Sequence, residues 1–109
     1  MFVLLLPLLF GAATPDLSIY TVSECPTPSW LQKTTAADGN YSMEWGTVSG
    51  ATEYEVWYIK NGYTSPVQTT NQTSFTFNNL VSGNYTFYVR TVCTEGVSSF
   101  IGNNDILEF

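Results

Sequence analysis

Turn signals punctuate this chain about every ten residues, and that spacing limits its fold more than any other feature. Asp38-Gly39-Asn40, Ser49-Gly50, Asn61-Gly62, Asn78-Asn79, Ser82-Gly83-Asn84, Gly96 and Gly102-Asn103-Asn104 put Gly, Asn, Asp or Ser where a chain reverses. The segments between them alternate apolar and polar side chains with the period of a half-buried strand. No stretch sustains a helical period with caps, and no internal repeat is present. The pattern predicts an all-β sandwich rather than alternating strands and helices.

The alternation also selects the core. Met43 and Trp45 share one face of a second strand, and Tyr54, Val56 and Tyr58 share one face of a third. Phe75 and Phe77, followed by Leu80, mark a fifth; Tyr85, Phe87 and Val89 mark a sixth. Each such side chain contributes about 1.5–3 kcal/mol when buried, which suffices for one small domain. Trp45 reads as a core residue.

Composition removes several function classes. Three basic residues (Lys33, Lys60 and Arg90) face nine acidic ones, for a formal charge of −6. Phosphate neutralisation needs clustered cations, so no nucleic-acid partner is expected. The chain has no histidine, which excludes Ser-His and Cys-His nucleophile pairs and the commonest metal ligand. Glu53 and Glu55 lie along one strand edge without an acid–base partner and read as a solvated face. Asp38-Gly39-Asn40 lacks the spaced carboxylates of a calcium loop and reads as a turn. No catalytic residue, metal ligand or cofactor is expected.

The N-terminal segment, residues 1–13, carries the apolar run Phe2, Val3, Leu4, Leu5, Leu6, Pro7, Leu8, Leu9, Phe10, followed by Gly11-Ala12-Ala13. An apolar run ending in small residues has the form of a secretory signal peptide, although no cation precedes it. It is either a signal cleaved after Ala13 or a retained assembly strand. The run is too short for a transmembrane span, and Pro7 interrupts it. Glu24 before Cys25 spoils a lipid-anchor motif. Residues 14–24 read as a linker or an extra strand, and Cys25-Pro26-Thr27-Pro28 as a stiff lead into the domain. Two cysteines, Cys25 and Cys93, beside a secretory-looking start suggest one disulfide; two buried free thiols are the alternative.

Residues 25–109 resemble a fibronectin type III domain, particularly the secreted variety of Bacteroidetes surface proteins. The matching pieces are Cys25-Pro26-Thr27-Pro28, Met43-Glu44-Trp45 and Ser49-Gly50-Ala51-Thr52-Glu53-Tyr54-Glu55-Val56. Tyr85-Thr86-Phe87-Tyr88-Val89-Arg90-Thr91-Val92-Cys93 matches the family's sixth strand, and Ser98 through Phe109 its last, with the closing Phe. The resemblance implies a seven-stranded antiparallel two-sheet sandwich of fibronectin type III or immunoglobulin-like form, with Cys25 facing Cys93. The turn Leu80-Val81-Ser82-Gly83-Asn84-Tyr85 is one residue short of the family's and lacks its Pro; Tyr85 is expected to pack as the corner tyrosine. The family hosts adhesion, receptor and spacer roles alike, and the turn Thr94-Glu95-Gly96-Val97 carries no Arg-Gly-Asp.

Two sets of surface residues stand out. Asn40, Asn71 and Asn84 each open an Asn-X-Ser/Thr acceptor sequence for glycosylation. If Tyr54, Val56 and Tyr58 point inward, then Trp57 and Ile59 point outward, with Tyr88 and Arg90 beside them and Tyr63 extending the patch. Such a patch marks an interface or sheet-stabilising cross-strand pairs. These features favour a non-enzymatic extracellular structural protein that assembles with itself, the apolar N-terminal segment adding as a strand to a neighbour and the Trp57/Ile59/Tyr88 patch accepting it. The alternative is a monomeric adhesion module for glycans or proteins on a cell surface or virion, with Trp57 and Tyr88 as stacking platforms.

Overall fold

The structure, a computed structural model, describes residues 24–109. The expectations for Phe2–Phe10 and for the linker up to Ser23 lie outside the described residues. Eight strands follow in order: β1 Leu31–Ala37, β2 Asn40–Trp45, β3 Glu53–Lys60, β4 Tyr63–Thr64, β5 Gln68–Thr70, β6 Ser74–Phe77, β7 Gly83–Cys93 and β8 Gly96–Leu107. Among the described residues no helix is long and apolar enough to cross a membrane.

Two hairpins start from the turns that the sequence marks. Asp38-Gly39 joins Ala37 to its partner Asn40, and Asn61-Gly62 joins Lys60 to Tyr63. All four turn residues have positive φ, between 50° and 82°. That is the two-residue turn whose twist matches the strands, and Asn, Asp and Gly tolerate it best.

The strands form two antiparallel sheets, β1-β2-β6 and β4-β3-β7-β8, with β5 also on β3. β4 pairs with Ile59 and Lys60, and β5 with Tyr54 to Val56, so both occupy the β3 edge away from β7. Together they are one edge strand broken at Pro66, which has no N–H to give a ladder. Ser65 bridges the break: its N–H donates to the Tyr58 carbonyl at 2.8 Å, and its Oγ accepts from the Tyr58 N–H at 2.8 Å. Eight segments thus fill the seven strand positions expected.

The predicted core side chains meet between the sheets, joined by Tyr41 and Leu107, which the alternation does not mark. Tyr41, Met43 and Trp45 of β2 pack against Tyr54 and Val56 of β3 and Tyr85, Phe87 and Val89 of β7, with Phe77, Leu80 and Leu107. Tyr41 and Phe87 stack at 3.7 Å across the sandwich, and Trp45 meets Tyr54 edge-on at 5.5 Å. The Tyr54 hydroxyl accepts from the Val48 N–H at 2.9 Å, and the Tyr85 hydroxyl donates to the Val81 carbonyl at 2.7 Å. Tyr85 is therefore a working corner tyrosine despite the shortened turn.

The Tyr41 hydroxyl is fully enclosed without a hydrogen bond of ordinary geometry, close to Asn103 and Asp105 of β8. Burial, reinforced by the Asp105 charge, pushes its pKa up to about 12. Asp105 forms an ion pair with Lys33 of β1 at 3.1 Å, closing this flank between the sheets.

Gly102-Asn103-Asn104, expected as a turn, lies inside β8. The Tyr88 ring covers Gly102, and the Asn104 amide donates to the Tyr85 carbonyl and the Thr86 hydroxyl, at 3.0 and 2.9 Å. These cross-strand contacts outweigh the turn preference of an isolated Gly-Asn-Asn.

Candidate interaction surface

Cross-strand register builds an aromatic cluster on the outer face of the larger sheet. Trp57 lies opposite Tyr88, Glu55 opposite Arg90, and Arg90 opposite Phe100 on β8. Side chains of paired residues share a face. Trp57 and Tyr88 accordingly stack at 5.5 Å, while Phe100 stands edge-on to both, at 5.6 Å from Trp57 and 5.1 Å from Tyr88.

The Arg90 guanidinium lies 5.3 Å from the Trp57 ring centre and 2.7 Å from the Glu55 carboxylate. The planar cation covers the ring face while the carboxylate holds it there. As a result Trp57 is only 9% exposed, whereas Phe100 is 57% exposed. This corrects the expectation of Trp57 as an open stacking platform: Tyr88, Phe100 and Arg90 cover it.

The structure brings together Trp57, Tyr88 and Arg90, with Ile59 one pleat along on the same face, opposite Thr86. Tyr63 does not join them. It pairs with Lys60, which belongs to the inward-facing set, and its ring is 6.4 Å from Tyr58. Phe100 is the member that sequence reading missed, because its place beside Trp57 and Tyr88 comes from the pairing of β8 with β7, opposite Arg90.

Cys25 and Cys93 form a disulfide, with Cα atoms 5.8 Å apart. It ties the lead-in segment to the end of β7, and Thr27 Oγ1 donates to the Ser99 carbonyl of β8 at 3.0 Å beside it. A structural disulfide fits an oxidising compartment. Asn40, Asn71 and Asn84 are all exposed, as an acceptor requires, although Asn84 Oδ1 accepts from Asn104 at 3.0 Å.

Every cation of the chain is engaged internally. Lys33 pairs with Asp105, Arg90 with Glu55, and Lys60 lies 5.4 Å from the Tyr85 ring centre. Among the described residues, no three His, Cys, Asp or Glu side chains gather as a metal site would need, and no pocket opens on their surface.

No family model matches the chain, and no curated protein matches it in sequence. Solved structures do. The crystal structure of FN3tt aligns with a TM-score of 0.66 at 20% identity, covering 75% of this chain and 92% of that one. The fn3 domain of human collagen alpha-1(XX) aligns with a TM-score of 0.70 at 15% identity, covering 84% and 93%. The rat CD45 extracellular region, domains d3-d4, aligns with a TM-score of 0.65 at 15% identity, covering 84% and 61%. At these identities the likeness concerns the fold. Residues 24–109 have the fold of a fibronectin type III domain.

Proposed function

We propose that this chain is a non-enzymatic extracellular structural protein, a subunit of a surface filament or matrix joined by its apolar N-terminal segment. The reading is supported above all by where the disulfide lies. Tension arriving through the N-terminal segment would pass across Cys25–Cys93 into β7. β7 is paired on both sides, by β3 and β8, over most of its length. The load bypasses β1, an edge strand whose one ladder partner among the described residues is β2. Such a cross-link serves a domain pulled from its N-terminus.

The test uses the full chain, residues 1–109, and a deletion of residues 1–13. Intact mass establishes whether the N-terminal segment is retained, and sedimentation with electron microscopy reads the polymers. Concentration-dependent polymers that vanish with the deletion are expected. A strict monomer with an intact N-terminus overturns the proposal and leaves the monomeric adhesion module, to be sought on glycan and protein arrays with a Phe100→Ala control.

A further inference from the structure

The four sheet edges differ sharply in how well they are blunted. An unpaired edge is a template for another strand, and proteins defend such edges with short strands, bulges, proline or charge. β6 has only four residues. β1 carries Lys33 and a register shift beside it. The edge formed by β4 and β5 is broken at Pro66. β8 is the longest strand at 12 residues, and among the described residues its only ladder partner is β7. Thr27 covers the start of its free side, at Ser99. From Ile101 to Leu107 the only such device among the described residues is a single charge. Asp105 does point inward there, but its charge is neutralised by Lys33.

Resting on the filament reading above, we infer that the β8 edge from Ile101 to Leu107 is the acceptor for the apolar run Phe2–Phe10 of a second copy. The Trp57 patch cannot be the acceptor of an added strand, because β3 and β7 already have ladder partners on both sides. β8 also carries two of the most exposed large apolar side chains among the described residues, Ile106 at 66% and Phe100 at 57%. Both lie on the outer face, next to the open edge, where side chains of an added strand would cover them. The run has no charge to add to a chain of net −6. Pro7 fits a strand that becomes the new edge, at a position facing away from β8, where a missing N–H costs no ladder bond.

The placement makes the contact head-to-tail. Glu24 leaves the domain beside Cys25–Cys93, at the β7–β8 hairpin end. The acceptor segment runs toward the opposite end, where Leu107 pairs with Gly83. Residues 11–23, if extended, reach about 40 Å. β8 itself is about 40 Å long, so the connecting segment spans one sandwich. A donor at one end and an acceptor toward the other do not close on themselves and generate a filament.

Hydrogen exchange read by mass spectrometry on the full chain tests this, comparing polymers, dilute intact monomer and the chain lacking residues 1–13. Amides of residues 101–107 are expected to exchange about tenfold or more slowly in the polymer alone. Ile106→Lys, at an exposed edge position, is expected to leave the fold intact and to raise the concentration needed for assembly about tenfold. Polymers with unchanged exchange at 101–107 overturn this acceptor and leave the filament reading standing. Protection of 101–107 already in the intact monomer means that the run folds back on its own β8, and overturns the head-to-tail contact. Absence of polymers from a chain with an intact N-terminus overturns the filament reading beneath it.

Discussion

Gly102 is the cross-strand partner of Tyr88, and the Tyr88 ring occupies the space that a side chain at 102 would need. A Cβ there would stand 2.6 Å from Tyr88 Cε1. The ring cannot swing away freely, because Trp57 stacks on it and Phe100 meets it edge-on. An aromatic laid across a strand glycine shields the backbone that the glycine leaves bare.

Gly102→Ala should therefore displace Tyr88 and loosen the outer cluster. The expected loss is about 1–3 kcal/mol, the usual scale of overpacking. Urea denaturation measures it, and near-ultraviolet circular dichroism should report the altered Trp57–Tyr88 stack.

Tyr85→Phe removes the hydroxyl that donates to the Val81 carbonyl at 2.7 Å. The expected cost is about 0.5–1.5 kcal/mol in denaturation, as for one hydrogen bond. A change near zero would mean that packing of the ring alone fixes the turn into β7.

Tyr41 gives the fold an alkaline limit. Its folded pKa of about 12 exceeds the ordinary value of 10.0, so the folded state holds the proton more tightly. The resulting stabilisation is complete below pH 10 and is lost as pH rises from there through about 12. Stability against urea should fall across that window. Tyr41→Phe should flatten the fall, and tyrosinate absorbance should show one late-titrating phenol missing.

Cutting the disulfide, by Cys25→Ser with Cys93→Ser, releases a loop closed over a sequence separation of 68. The expected loss is about 4 kcal/mol on the chain-entropy account. The midpoint of urea unfolding measures it against the oxidised protein.

Arg90→Ala removes both the guanidinium over Trp57 and the partner of Glu55. Both groups are partly exposed, so the expected cost is about 1 kcal/mol. Trp57 should become more accessible, read as a red shift and stronger acrylamide quenching of its fluorescence.

Core and turns were legible in the sequence because both depend on local pattern. Period-two alternation marked Met43, Trp45, Tyr54, Val56, Phe87 and Val89, and Asp-Gly and Asn-Gly marked the hairpins. The outer face was legible only in part. Alternation puts Trp57 and Tyr88 outside the core, but their exposure depends on what covers them. Arg90 and Phe100 reach Trp57 through register, a property of paired strands that no single segment encodes. The same reason explains the misread turn in β8: Gly102 and Asn104 are stabilised by Tyr88, Tyr85 and Thr86, some 14–19 residues earlier. Tyr63 was misplaced because the two-residue turn at Asn61-Gly62 sets its face opposite Lys60.

The internal use of all three cations has a consequence for the protein in quantity. With Lys33 and Arg90 paired to carboxylates and Lys60 against the Tyr85 ring, the excess charge of a chain of net −6 is carboxylate, borne by side chains such as Glu53, Glu95 and Glu108. A dense coat of such molecules acts as a fixed polyanion that gathers counterions and swells as salt is diluted, because the screening length grows from about 8 Å at physiological salt to about 30 Å at 0.01 M. Were the proposed filaments packed side by side, that charge would hold neighbours apart, and added salt would let them approach.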